Sequence, residues 1–264
     1  MKSITYIPLF MLCVLVSMTY QSKGQNTTDS LHLVPASPFA KVDLLNLFDY
    51  TRNRSVPVAL YKDDSSIIKQ KLVIFSHGYG ENKGGSYLAY SYLCKFLAAH
   101  GYLVASVQHE LPTDDPLAMT GNLQETRMPN WENGIQNILF VWKDLKSKIP
   151  SIDEKQIIVI GHSNGGDMSM LFASEYPFKT SKAISLDSRR MPFPLIGPHK
   201  IYSLRSTDMA ADPGVLPTEK KIQEFQITIV QLNNTKHIEM TDDTASDEQK
   251  KEINAYVLNF LLEK

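Results

Sequence analysis

Cysteine is almost missing from this chain of 264 residues, which carries only Cys13 and Cys94. Cys13 lies in an apolar run at the start, so a chain that loses that run keeps Cys94 alone and forms no internal disulfide. Cys13 also lacks the small preceding residues of a lipidated cysteine. Excess charge is missing too: 27 basic and 28 acidic residues leave a formal net charge of -1. That balance excludes a broad electrostatic hold on nucleic acid or on an anionic membrane, so any partner must be recognised locally. Beyond the start, no apolar run is long enough to span a bilayer, and there are no repeats, heptads or low-complexity blocks. No His, Cys, Asp and Glu residues fall at metal-ligand spacing. The glycine-rich turns lack the lysine and hydroxyl residue of a phosphate loop, so no metal or organic cofactor is expected.

What is present begins with "MKSITYIPLFMLCVLVSMTYQSKGQ", a basic Lys2, an apolar run and a small polar exit. This pattern predicts an export signal over residues 1–25, placing the protein in the periplasm or outside the cell without a stable membrane span after processing. Residues 26–54 read as an N-terminal extension, and 55–264 as a single domain. With 43% hydrophobic residues the chain can bury one sizeable core.

Within 55–264, short β-rich runs alternate with longer helix-patterned ones. The runs are "KLVIFS" (71–76), "YLVASV" (102–107), "QIIVIG" (156–161), "KAISLD" (182–187), "KIYSLR" (200–205) and "QITIVQL" (226–232). Such alternation predicts an α/β fold, a mostly parallel central sheet flanked by helices on both faces, with sites at the carboxyl ends of its strands. "SVPVALYK" (55–62) is expected to add an antiparallel edge strand. The polar, broken segment 108–130 is expected to overhang the strand ends as a loop or small lid.

One motif carries chemistry. Gly161-His162-Ser163-Asn164-Gly165 matches G-x-S-x-G between a predicted strand and a predicted helix, the context in which a sharp turn exposes a serine hydroxyl above the sheet. The N–H of Asn164, at the new helix's N-terminus, and the N–H of Tyr79, in "VIFSHGYG", are the candidate oxyanion donors. His77 reads as a structural residue of that loop. The base must reach the serine, and His237, after the last strand and before the last helix, holds the required place in chain order. His100, His162 and His199 read as structural, and His109 as a residue that lines the pocket. A carboxylate must orient the imidazole. Three aspartates qualify by order: Asp187, Asp208 and Asp212, the later strand favouring Asp208. Asp167 reads as a solvated or helix-capping charge, and Arg189 and Arg190 as a solvated face or a site for an anionic substrate group.

With these segments placed, the chain resembles the α/β-hydrolases, and within them the platelet-activating-factor acetylhydrolase branch, the lipoprotein-associated phospholipase type. The matching pieces run in order as "LVIFSHGYG", "LAAHGYLVASVQHE", "IDEKQIIVIGHSNGG", "KAISLDSRRMPFP" and "KHIEMTD". The resemblance implies a serine hydrolase that cleaves carboxylic esters through an acyl-enzyme, and a small-molecule ester or lipid-like substrate. It also implies an acid on the strand directly after the elbow helix, as in chlorophyllase-like hydrolases, which is Asp187; Asp208 and Asp212 stay open. Where the family has aromatic and apolar residues after that aspartate, this chain has Ser188-Arg189-Arg190. The same triad would serve an exported acyltransferase or amidase, and the same fold a catalytically inactive binding protein.

Overall fold

A computed structural model describes residues 40–63, 69–150, 152 and 156–263. The expected export signal and the first part of the extension fall outside these residues.

An eight-stranded sheet organises them, in the order β1-β2-β4-β3-β5-β6-β7-β8. Its strands are β1 (Ala40–Asp49), β2 (Arg54–Asp63), β3 (Leu72–Ser76), β4 (Leu103–Val107), β5 (Ile157–His162), β6 (Thr180–Leu186), β7 (Lys200–Arg205) and β8 (Thr228–Gln231). From β4 to β8 all neighbours are parallel, whereas β1–β2 and β2–β4 are antiparallel. The helices are α1 (Ser91–Ala99), the short α2 (Leu123–Thr126), α3 (Met128–Lys148), α4 (Asn164–Glu175), the short α5 (Glu219–Glu224) and α6 (Asp247–Leu262).

Why the middle strands form is plain from their residues. β3, β4 and β5 are buried along their whole length, which suits unbroken apolar, β-branched runs covered on both faces. Alternate side chains then serve two cores. Leu72 and Ile74 of β3 pack with Trp131, Ile138 and Val141 of α3 and Met168 and Phe172 of α4. Val73 and Phe75 point the other way, toward Leu93 and Leu97 of α1 and Val257 and Leu261 of α6. Along α3 the buried residues Trp131, Ile135, Ile138, Trp142 and Leu145 recur at three- and four-residue steps, and Lys146 and Lys148 complement the dipole of its last turn. At the other end of the chain, Ser246 and Gln249 close a capping box at the start of α6.

Two expectations change. The run at 55–62 is not the edge: β2 lies between β4 and β1, and the edge strand is Ala40–Asp49, from the stretch read as an extension. Its exposed Val42, Leu44 and Phe48 blur the polar–apolar alternation that marks a half-buried strand. The segment 108–130 does not simply overhang the strands. Gln108, His109 and Glu110 are buried, and α3 already begins at Met128, so only the stretch between them is loop with the short α2. No helix among the described residues is long and apolar enough to cross a membrane.

Candidate active site

The turn from β5 to α4 forces Ser163 to φ 52° and ψ -119°, a region that L residues rarely occupy. Two glycines make the turn possible. A Cβ on Gly161 would stand 2.1 Å from the Gly165 carbonyl oxygen, and one on Gly165 would stand 2.2 Å from that of Ser76. The result lifts the Ser163 hydroxyl above the carboxyl ends of the strands.

His237 meets that hydroxyl. It sits in the loop between β8 and α6, its Nε2 2.9 Å from Ser163 Oγ and its Nδ1 2.6 Å from Asp187 Oδ2. Asp187 follows β6 and is itself at φ 58°, a bend that turns its side chain toward the histidine. The carboxylate is fully buried yet saturated with donors. Ser206 donates its N–H to Oδ1 at 3.0 Å and its hydroxyl to Oδ2 at 2.6 Å, and Arg205 Nη2 lies 3.0 Å from Oδ1. Burial alone would push the Asp187 pKa up; the His237 hydrogen bond, the Arg205 charge and the Ser206 donors outweigh it and hold the carboxyl below its ordinary value. A permanent anion therefore faces Nδ1, which fixes the tautomer with its lone pair at Nε2, aimed at the serine.

The other two aspartates are placed elsewhere. Asp208, the acid favoured by strand order, is exposed and accepts the backbone N–H of His237 at 2.7 Å, so it holds the base loop and leaves the ring to Asp187. Asp212 pairs with Arg190, 3.8 Å from its Nε. Asp167 also departs from expectation: it is buried, and its Oδ1 accepts the N–H groups of Arg189, Arg190 and Met191. It thereby shapes the turn after Asp187. Arg189 and Arg190 are half-buried, with Arg189 donating to the Ala210 carbonyl.

Tyr79 lines the same cavity as Ser163, a space of about 310 Å³ bordered also by Gly78, Ala89, His237 and Ile238. Asn164 opens α4, where no residue four places back within the helix can accept its N–H. Its side chain is locked on three sides: Trp131 donates to Oδ1 at 2.8 Å, and Nδ2 donates to Glu110 and Asn130, each at 2.9 Å. A larger cleft of about 720 Å³ between α3 and α4 contains none of these groups.

The remaining histidines are tied into the frame. His77 bonds the Gly78 carbonyl through Nδ1 and accepts the His109 N–H at Nε2. His109 does not line the cavity but is buried, and burial, then the proximity of His77 and the charges of Arg54 and Arg52, depresses its pKa. His162 is buried against Tyr90, and burial, then His237, lowers its pKa to about 3. Sequence reasoning missed Tyr90, Arg205, Ser206, Glu110 and Trp131. They sit on four different segments, and no short pattern links them. Among the described residues no His, Cys, Asp and Glu group could hold a metal ion.

The comparisons agree with this architecture. Residues 55–136 match the family model of platelet-activating factor acetylhydrolase, isoform II. No curated protein sequence matches the chain. Solved structures with the same fold include a Klebsiella pneumoniae protein assigned as a dienelactone hydrolase, at TM-score 0.60 and 13% identity over 85% of this chain and 99% of that one. Esterase 2 of Thermogutta terrifontis aligns at TM-score 0.57 and 14% identity, covering 86% and 96%. The esterase Est22 aligns at 0.57 and 15%, covering 84% and 81%. The chain has the α/β-hydrolase fold and, over 55–136, is similar to the platelet-activating factor acetylhydrolase, isoform II, family model.

Proposed function

We propose that the protein is a serine hydrolase of carboxylic esters. The observation that carries this reading is the unbroken hydrogen-bonded line from Ser163 through His237 to Asp187, with Ser163 and His237 lining the cavity and Asp187 buried behind them. His237 takes the Ser163 proton as Oγ attacks the ester carbonyl; the N–H groups of Tyr79 and Asn164 hold the oxyanion. The imidazolium then returns the proton to the departing alkoxide. Water, deprotonated by the same ring, attacks the acyl-enzyme and releases the acid.

The substrate class follows from size and lining. About 310 Å³ lies at the small end of ligand sites, and Ala89 and Ile238 give the wall apolar character. A compact or short-acyl ester fits such a space, in keeping with the esterases that share the fold. Ser163→Ala is expected to remove hydrolysis of p-nitrophenyl acetate, a loss of about 10⁶-fold in kcat, while circular dichroism stays unchanged. Wild-type turnover in that variant would overturn the reading.

A further inference from the structure

The atoms around His162 admit one placement of hydrogens. Its Nε2 lies 3.0 Å from the His237 carbonyl oxygen, and since a carbonyl only accepts, Nε2 carries the hydrogen. In the neutral ring Nδ1 is then a lone pair, so the hydroxyl 2.7 Å away, that of Tyr90, must donate to it. Tyr90 Oη keeps lone pairs of its own, and one accepts the Gly78 N–H at 3.2 Å. Each group has one role, and the order cannot be reversed.

This chain crosses three segments. It starts in the oxyanion loop at Gly78, passes through Tyr90 at the head of α1 and His162 at the end of β5, and finishes on the backbone of the base itself. The fit is close: a Cβ on Gly78 would stand 2.9 Å from His162 Nδ1 and 3.1 Å from Tyr90 Oη. A second tie closes the loop. Asp242, five positions after His237, accepts the N–H groups of Ser91 at 2.8 Å and Tyr92 at 2.9 Å, the two residues that follow Tyr90.

We infer that Tyr90 and His162 are positioning residues, a hydrogen-bond relay that locks the oxyanion loop and the base loop to the nucleophile elbow. Their rings border the cavity, but their polar atoms are spent on one another and on backbone. Neither transfers a proton to the reacting atoms. Their effect is to hold the Tyr79 N–H, Ser163 Oγ and His237 Nε2 in one mutual geometry before a substrate arrives, which lowers the reorganisation needed in the transition state. The inference rests on the hydrolase reading above.

Steady-state kinetics on p-nitrophenyl acetate test it, with each enzyme normalised to active sites titrated by a fluorophosphonate so that unfolded molecules do not count. Tyr90→Phe, which keeps the ring and removes the hydroxyl, is expected to lower kcat about tenfold with KM within about twofold, the scale of one lost hydrogen bond expressed in the transition state. His162→Leu should lose at least as much. His162→Gln should recover most of that loss, because a planar amide offers one acceptor and donors side by side, as this imidazole does. The double variant Tyr90→Phe with His162→Leu should be no slower than His162→Leu, since the relay is already cut. An unchanged kcat in Tyr90→Phe, losses that multiply in the double variant, or a His162→Gln as slow as His162→Leu would each overturn the relay. Ser163→Ala, normalised to folded protein by circular dichroism because it has no hydroxyl to titrate, separates the two claims: activity there overturns the hydrolase reading, whereas an inactive Ser163→Ala beside a fully active Tyr90→Phe overturns the relay alone.

Discussion

On one flank of Ser163, at the ends of β6 and β7, a fully buried carboxylate is met by His237, by both donors of Ser206 and by the Arg205 guanidinium. On the other flank, under α3, Glu110 is equally buried but has no cation at hydrogen-bond distance: its Oε1 takes the amides of Asn164 and Asn130, while Oε2 has no hydrogen-bond partner among the described residues. His77 Nε2 lies 3.7 Å from that oxygen, but it already accepts the His109 N–H and so presents a lone pair rather than a charge. Both ring nitrogens of His109 are likewise without partners there. The first flank is organised around a charge that must persist, the second around the shape of a neutral amide. Losing a partner should therefore be severe on one side and mild on the other.

The largest effect is expected at Asp187. Asp187→Asn keeps the shape but lets the wrong tautomer of His237 form, and kcat should fall about 10⁴-fold. Asp208→Asn, which keeps an acceptor for the His237 N–H and removes only its charge, should cost no more than about fivefold. A reversal of that ranking in the pH 8 rate of p-nitrophenyl acetate hydrolysis would move the acid from Asp187 to Asp208.

Arg205→Met comes next, on stability. It strands the Asp187 charge without its buried counter-ion, and urea unfolding should show a loss of about 3–5 kcal/mol. A loss under about 1 kcal/mol would mean that Ser206 and His237 suffice to hold the anion.

A pH dependence follows from the two depressed imidazoles. His162 and His109 are held neutral in the folded chain and take up protons in the unfolded chain near their ordinary value, about 6.5. The unfolded state thus binds more protons below that pH, so stability is full above it and is lost as pH falls toward the folded values. For His162, between pH 6.5 and 5, the loss is of the order of 2 kcal/mol at 1.36 kcal/mol per unit. Thermal midpoints should drop over that interval, and less steeply in His162→Gln; a parallel slope would remove His162 from the account.

The smallest effects belong to the flank of Asn164. Trp131→Phe deletes the donor to Asn164 Oδ1 and should cost about 1 kcal/mol of stability with a modest fall in kcat. Glu110→Gln keeps the acceptor for Asn164 and leaves the other amide position as short of partners as the oxygen it replaces, because His77 Nε2 is already taken by His109 and Gln108, so urea unfolding should show a change within about 1 kcal/mol. Loss of stability comparable to Arg205→Met would show that Glu110 carries a required charge after all, and the contrast between the flanks would fail.

Much of this was legible in the chain itself, where the physics is local. The apolar runs at 71–76 and 156–161 are strands because β-branched and apolar residues without polar alternation suit a sheet covered on both faces, and β3 and β5 lie within one residue of those limits. Gly161 to Gly165 foretold the elbow because the steric demand of the turn falls on adjacent residues. What the sequence left open depended on distant segments meeting. Ala40–Asp49 is a strand because β2 offers it a ladder, although its own alternation is weak. Asp187 rather than Asp208 faces the His237 ring because β6 and β7 are parallel neighbours: their register ends Asp187 beside Arg205 and Ser206, and the bend at φ 58° swings it inward. Tyr90 and His162 have no signature at all, being 72 positions apart and joined only where the residue before α1 meets the end of β5. Sequence determined the elements and the place of Ser163 at the elbow through local steric and hydrophobic patterns. Only the tertiary structure, by setting which strand ends are neighbours, decided which aspartate meets the His237 ring and which groups surround the pair.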